Sequence, residues 1–284
     1  MKISFIIVIY NSESVIFDCL NSIDKYEDTK NIEVILVDNH QDSKFNKNDL
    51  KKYNFDIYYI KSPKNGGFGY GNNVGVEKSN NEIVFFLNPD TILTKNISNE
   101  TIRVFKNNKE KNIILGYKLI DINHNRNNTI GCFPQTNLFN TLLLNLVSRF
   151  GFSIINNTYL NHYIWPWGAA FSIKKEVFLS SGRFDENIFL CNEEADLLMR
   201  VENRKVKILD LPIIHLEGHT TSSSVERHVE YFNSVFYYLE KYNFSNKDFI
   251  KTFYRNYDLK KLLNLIDNDL LNKIKALDKL KKWH

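Results

Sequence analysis

The sequence predicts an α/β fold: a mostly parallel sheet with helices on both faces. Three observations carry this. Four runs rich in β-branched and aromatic residues fall in the first hundred positions: ISFIIVI (3–9), EVILV (33–37), DIYYI (56–60) and EIVFFL (82–87). They are apolar throughout, without alternation, which is what a sheet covered on both faces requires. They also start about 20 to 30 residues apart with helical patterns between them, the spacing of parallel strands joined by crossovers.

The elements follow in order. Val15, Cys19, Leu20 and Ile23 have the spacing of a helix after the first strand, and a second helix is predicted from near Asn72. WPWGAAFSI (165–173) predicts a strand approached by a Trp-Pro-Trp turn, and KKEVFLSSG a short helix. EEADLLMRVEN (193–203) predicts a helix, and KVKILDLP a strand ending before IIHLEGHTTSSS. Beyond residue 224, YFNSVFYYLEKY and LKKLLNLIDNDLLNKIKALDKLKKW are amphipathic helical patterns.

Charge divides the chain at the same place. The net charge is +4, yet residues 1–224 hold 25 Lys/Arg against 25 Asp/Glu, and residues 225–284 hold 12 against 8. We therefore expect a main domain over 1–224 and a basic helical extension over 225–284. Three cysteines without metal-type spacing point to a reducing compartment. The opening MKISFIIVIYN reads as a strand and not as a signal peptide or membrane helix.

Parallel sheets of this kind bind ligands outside the carboxyl ends of their strands. Here those ends are Ile9-Tyr10-Asn11, Asp38-Asn39, the loop from Lys61, and Asn88-Pro89-Asp90. NGGFGYGNNVG (65–75) holds five glycines. It neither follows the first strand nor has the dinucleotide register. It reads either as a flexible loop or as one whose backbone approaches a ligand closely. On the helix from Glu193, residues Leu197, Leu198 and Val201 define an apolar face, and Glu194 projects into the middle of it. Asp196 and Arg200 are four apart and can pair. A carboxylate placed like Glu194 is either an acid satisfying the helix N-terminus or a general base on a cleft wall. His215 and His219 are four apart, but Gly218 argues against a helix and no third soft ligand is spaced for zinc. A single His joined to Asp90 around a hard divalent ion is the better reading, with a satisfied loop histidine as the alternative.

Together, FIIVIYN, VILVDNHQDS, NGGFGYGNNVG, FFLNPDT, WGAAFSIKKEVF, GRFDENIFLCNEEADLLMR and HLEGHTTSS resemble, in order, the family 2 inverting glycosyltransferases. The rhamnosyltransferase-like branch is nearest, and the resemblance covers about residues 3–224. It implies the GT-A fold, a Rossmann-like, mostly parallel sheet. Carried over by position, Asp38 would recognise a pyrimidine base, with Ile9, Tyr10 and Asn11 lining that pocket. Asn65, Gly67, Asn73 and Gly75 match the loop over nucleotide and sugar, and Trp167 and Gly168 join the donor-binding set. Asn88-Pro89-Asp90 stands where the family often has Asp-x-Asp. Asp90 and His215 would hold a divalent cation, Mg2+ or Mn2+. Glu193-Glu194 matches the family's Glu-Asp pair, whose second acid is the general base. Three departures are that Asn88 replaces an acid, that Glu194 is one methylene longer than the usual Asp, and that Ile9 stands where Thr is common.

The resemblance further implies a nucleotide diphosphate sugar donor, dTDP-rhamnose first and UDP-hexoses next. The acceptor would be a glycan or lipid-linked oligosaccharide in surface polysaccharide synthesis, and nucleic acid is not expected as a partner. The protein would be cytoplasmic. Its extension would touch the inner face of the membrane, pack on the domain or form a homodimer. A nucleotidyltransferase is disfavoured, because IYNSESV after the first strand carries no Lys or Arg. A catalytically silent nucleotide-sugar-binding module is the remaining alternative.

Overall fold

The computed structural model describes residues 1–133, 140, 143, 144, 146, 152–216 and 224–244. The elements are β1 (Ile3–Ile9), α1 (Ile16–Tyr26), β2 (Ile32–Asp38), β3 (Asp56–Lys61), α2 (Gly67–Lys78), β4 (Ile83–Leu87), β5 (Thr91–Leu93), α3 (Ser98–Asn107), β6 (Ile113–Ile120), β7 (Ile130–Cys132), α4 (Ser153–Asn156), β8 (Ile164–Pro166), β9 (Ala170–Lys174), α5 (Lys175–Ser180), α6 (Glu193–Arg200), β10 (Lys205–His215) and α7 (Ser224–Lys241). Eight strands form one sheet in the order β3-β2-β1-β4-β9-β6-β10-β5, and β7 pairs with β8 in a small second sheet.

The apolar runs are buried for the expected reason. Along β1, Ile6 packs into one core while Phe5 and Ile7 pack into another on the opposite face. In β4, Val84 and Phe86 face the first core and Ile83, Phe85 and Leu87 the second. Phe86 centres an aromatic cluster with Phe171, Phe178 and Phe184, at ring distances of 4.8, 5.2 and 5.0 Å. Each such side chain contributes about 1.5–3 kcal/mol by leaving water.

Several elements differ from the sequence reading. DIYYI is an edge strand with Tyr58 47% exposed, so β3 is covered less fully than β1 and β2. WPWGAAFSI divides between two sheets, β8 pairing with β7 and β9 lying between β4 and β6, antiparallel to both. β10 continues past Pro212 to His215, because a register shift between Leu209 and Ile213 removes the proline from regular pairing. The helix from Glu193 ends at Arg200. The second helix starts at Gly67, five residues earlier than near Asn72.

That earlier start changes the meaning of the glycines. Gly67 has φ +86, and a Cβ there would overlap the Phe189 carbonyl oxygen. Gly71 and Gly75 lie against Val8 and Ile6 of β1. These glycines let α2 sit close to the sheet and to the 184–193 segment. They form no open loop.

α7, at the start of the expected extension, packs on the sheet: Val235, Tyr238 and Leu239 are buried in the first core. The remaining predicted helical pattern, with Trp283, lies outside the described residues, as does His219.

Candidate active site

The strand ends named above converge as the topology demands. Ile9 and Asp38 are register partners at the ends of β1 and β2, and the Asn39 N–H donates to the Ile9 carbonyl at 2.9 Å. Tyr10 is 39% exposed and meets His40 edge-on at 5.0 Å. Asn11 adopts φ 52, which turns the chain away from the sheet.

Asp38 is buried with both oxygens occupied. Oδ1 accepts from the His40 N–H at 3.0 Å, and Oδ2 accepts from Tyr59 Oη at 2.6 Å and Lys61 Nζ at 3.3 Å. Lys61 also donates to the His40 carbonyl. The carboxylate thus reaches the predicted place, but β3 covers it, and Tyr10 and His40 provide the accessible surface there.

Asp90 is 4% exposed in the turn after β4. The turn is fixed by Thr91, whose Oγ1 and N–H donate to the Asn88 carbonyl at 2.7 and 3.3 Å. Antiparallel pairing of β5 with β10 sets Thr91 opposite His215. His215 Nε2 therefore comes to 3.4 Å from Asp90 Oδ1, an oxygen that makes no hydrogen bond. Two residues 125 positions apart are brought together as expected. Among the described residues no group of three His, Cys, Asp or Glu could hold a metal.

Glu194 lies across the turn between β8 and β9. The Asn88 N–H donates to the Ala169 carbonyl at 2.9 Å, which ties the Asp90 turn to that same loop. Gly168 faces the Glu194 carboxylate, and a Cβ at 168 would overlap Glu194 Oε1. Burial pushes the Glu194 carboxyl up to about 7, against hydrogen bonds from its own N–H and that of Gly168. Burial and the neighbouring Glu194 charge hold the Glu193 carboxyl well above the usual range. Both acids accept helix N-terminal N–H groups, which matters because Asn192 offers no side-chain cap. Glu194 is thus buried in the first turn of α6 with its carboxyl pushed up to about 7. Cys191 and Asn192 are both left-handed, with φ 71 and 69, and form the sharp entry to α6.

Other predicted residues have different surroundings. Asn73 Nδ2 donates to the Phe184 carbonyl and to Glu186 Oε1, both at 3.0 Å, and its Oδ1 accepts from the Phe184 N–H at 3.1 Å. It binds the 184–186 loop to α2 and offers no polar atom to a ligand. Asn65 is exposed, its Oδ1 accepting from the Gly67 N–H at 3.3 Å. Trp167 is 37% exposed beside Gly168. Phe189, also 37% exposed, was not singled out by the sequence; the FDENIF context gave no signal for it.

The sequence also missed how α6 is held. Asp196 is fully buried; its Oδ2 accepts from Arg200 Nη2 at 2.8 Å and its Oδ1 from Lys241 Nζ at 2.6 Å. Arg200 then reaches the Ser181 and Arg183 carbonyls. The predicted Asp196–Arg200 pair is present, but as part of a buried network.

An acidic helix facing two tied strand-end loops, on a sheet of this order, defines a glycosyltransferase domain of the GT-A fold. The model of the family described as Glycosyl transferase family 2 matches residues 4–178, and this chain belongs to that family. It is 27% identical over 215 residues to the low-salt glycan biosynthesis hexosyltransferase Agl10 of Haloferax volcanii, covering 72% of this chain and 63% of that protein. It is also 27% identical over 116 residues to the uncharacterized glycosyltransferase YfnE of Bacillus subtilis, covering 40% of this chain and 29% of that one. The chain thus spans less than two-thirds of either relative. Similar solved folds include S. aureus TarS 1-349 in complex with UDP-GlcNAc, with a TM-score of 0.53, 19% identity and coverage of 81% of this chain and 64% of that one. GalNAc-T7 with UDP, GalNAc and Mn2+ gives 0.56 and 15%, covering 81% and 47%.

Proposed function

We propose that this protein transfers a sugar, with inversion, from a pyrimidine nucleotide diphosphate donor to a hydroxyl of a glycan or lipid-linked glycan. The observation that carries this is the place of Glu194: a buried carboxyl, pushed up to about 7 by burial, at the carboxyl end of the sheet and against a loop that also fixes Asp90. A general base works best when its pKa lies near the working pH. Glu194 would take the acceptor O–H proton as that oxygen bonds to the anomeric carbon from the face opposite the diphosphate. The C–O bond to the diphosphate breaks in the same displacement, and no enzyme nucleophile is required.

Asp90 and His215 fit a hard divalent cation, Mg2+ or Mn2+, because a buried carboxylate oxygen without a hydrogen bond stands beside an imidazole nitrogen. Two protein ligands suffice where diphosphate oxygens and water complete the shell. When bound, the cation supplies charge neutralisation for the leaving diphosphate. Asn88 contributes its backbone to the turn and no charge.

For the donor, motif resemblance favours dTDP-rhamnose. The neighbours solved with UDP and UDP-GlcNAc and the hexosyltransferase relative favour a UDP-hexose. Tyr10, Asn11 and His40 would line the base site, with Asp38 behind them. Among the described residues no helix is long and apolar enough to cross a membrane. Peripheral contact by the basic 225–284 extension in the cytoplasm completes the reading.

The test is ligand-observed NMR of the purified chain with a panel of dTDP- and UDP-sugars, with and without Mn2+. Metal-dependent binding of one donor, with transfer lost in Glu194→Gln, supports the proposal. Binding without transfer under any condition would point to a silent nucleotide-sugar-binding module.

A further inference from the structure

Lys241 ends α7, 47 residues after Glu194 in sequence. Its ammonium stands 2.6 Å from Asp185 Oδ2 and 2.6 Å from Asp196 Oδ1. Asp196 is on α6, two residues after Glu194. Asp185 lies in the loop that leads into α6. The same face of α7 adds Tyr237 Oη to Asp185 Oδ2 at 2.8 Å and Ser234 Oγ to the Leu190 carbonyl at 2.7 Å. Just past its end, Tyr242 Oη donates to Asp196 Oδ1 at 3.0 Å. The segment 185–196 is therefore tied to α7 at its start, its middle and its helical end.

We propose that Lys241 is a positioning residue for the catalytic segment: by bridging Asp185 and Asp196 it holds α6 in place and keeps Glu194 seated against Gly168. This rests on the reading of Glu194 as base, but its test needs no sugar transfer. Asp196 without Lys241 would keep Arg200, whereas Asp185 would lose its cation, so two tethers of one segment fail together. The Lys241 side chain is partly exposed, with a relative accessibility of 26%, so its pairing adds only modestly to global stability. Local order of the segment is what it controls. The charged groups on the elements that carry and hold Glu194 are Glu193, Asp196 and Arg200 on α6, Asp185 and Glu186 on the preceding loop, and Lys241 on α7.

The experiment follows the side-chain carboxyl signal of Glu194 against pH in the full chain labelled with 13C-glutamate. The signal is assigned by its loss in Glu194→Gln. Removing a nearby cation alone would raise the midpoint, whereas unseating Glu194 into water would lower it. In Lys241→Met we expect the midpoint to fall by about one pH unit and amide exchange over 185–200 to rise about tenfold, with Lys241→Arg restoring both. A midpoint that stays or rises in Lys241→Met overturns the proposal. Should that variant not fold, Asp185→Asn severs the bridge from the loop side, and the same fall is required of it. A protein that transfers no sugar in any form would defeat the transferase reading and leave this titration unaffected.

Discussion

Gly168 has no side chain where the Glu194 carboxylate lies, and the Gly168 N–H donates to that carboxylate. Replacing Gly168 with Ala would force Glu194 out of its seat. The displaced atom is the free end of a flexible side chain, so stability should change little. Transfer should fall by tenfold or more, because misplacing a reacting group is costly to rate. Thermal melts alongside kcat check this pair of outcomes.

Glu194 also sets a pH dependence. As the proposed base, Glu194 must be ionised, so kcat/KM should rise with pH, bend near 7 and then level off. Glu194→Gln should remove that ascending limb and lower kcat by about 10²–10⁴-fold. For stability the sign is opposite. A carboxyl whose folded pKa is raised favours the folded state at low pH and loses that contribution as pH rises from about 4.5 to about 7. Glu194→Gln should flatten that decline in urea titrations across the range.

Mn2+ binding should depend on both Asp90 and His215. Asp90→Asn should abolish the electron paramagnetic resonance signature of bound Mn2+ in the presence of nucleotide diphosphate, and His215→Ala should weaken it by about tenfold. Full Mn2+ affinity in Asp90→Asn would remove Asp90 from the role of ligand.

Phe86 sits among three other rings at the centre of the sheet. Phe86→Ala should destabilise the chain by about 3–5 kcal/mol in denaturant titration. The sign of the Glu194 pH profile should survive in whatever fraction remains folded.

Asp185 gives an acid-side prediction. Burial opposes its ionisation, but hydrogen bonds from Lys241, the Asn187 N–H, Tyr237 and the Asn187 side chain outweigh that and hold its carboxyl well below the usual range. Its contribution is present above about 3.8 and lost as pH falls further. Asp185→Asn should therefore be less stable than the parent at neutral pH, and the two should converge in strong acid. Urea midpoints measured from pH 7 downward follow the convergence.

The parts of the fold that the sequence revealed are those where one physical demand acts alone. The β1, β2 and β4 runs are buried on both faces, so their composition declares them. Asp90 lay at a strand end on simple counting, but its pairing with His215 depends on β10 running past Pro212 beside β5, a bulged register that no local pattern encodes. The glycines of 65–75 were legible as close-approach residues, although what they approach is the sheet and Phe189. Glu194 was legible by its place on an apolar helix face. Asp38 and Asn73 were placed by resemblance, and their hydrogen bonds turn inward because Tyr59 and Phe184 arrive from other elements. Lys241 gave no signal, since its partners lie 45 and 56 residues away and pair only once α7 has docked.

The three-residue turn from Trp167 to Ala169 holds Asn88 through one carbonyl and Glu194 through one N–H. On the proposed reading it is a spacer of fixed length between Asp90, which would seat the leaving group, and Glu194, which would accept the proton. Lengthening it would move both at once, whereas the exposed faces of Trp167 and Phe189 can change without altering that separation. Changes in acceptor preference should therefore be sought in those exposed rings, while the gauge between bond breaking and proton removal stays as the fold sets it.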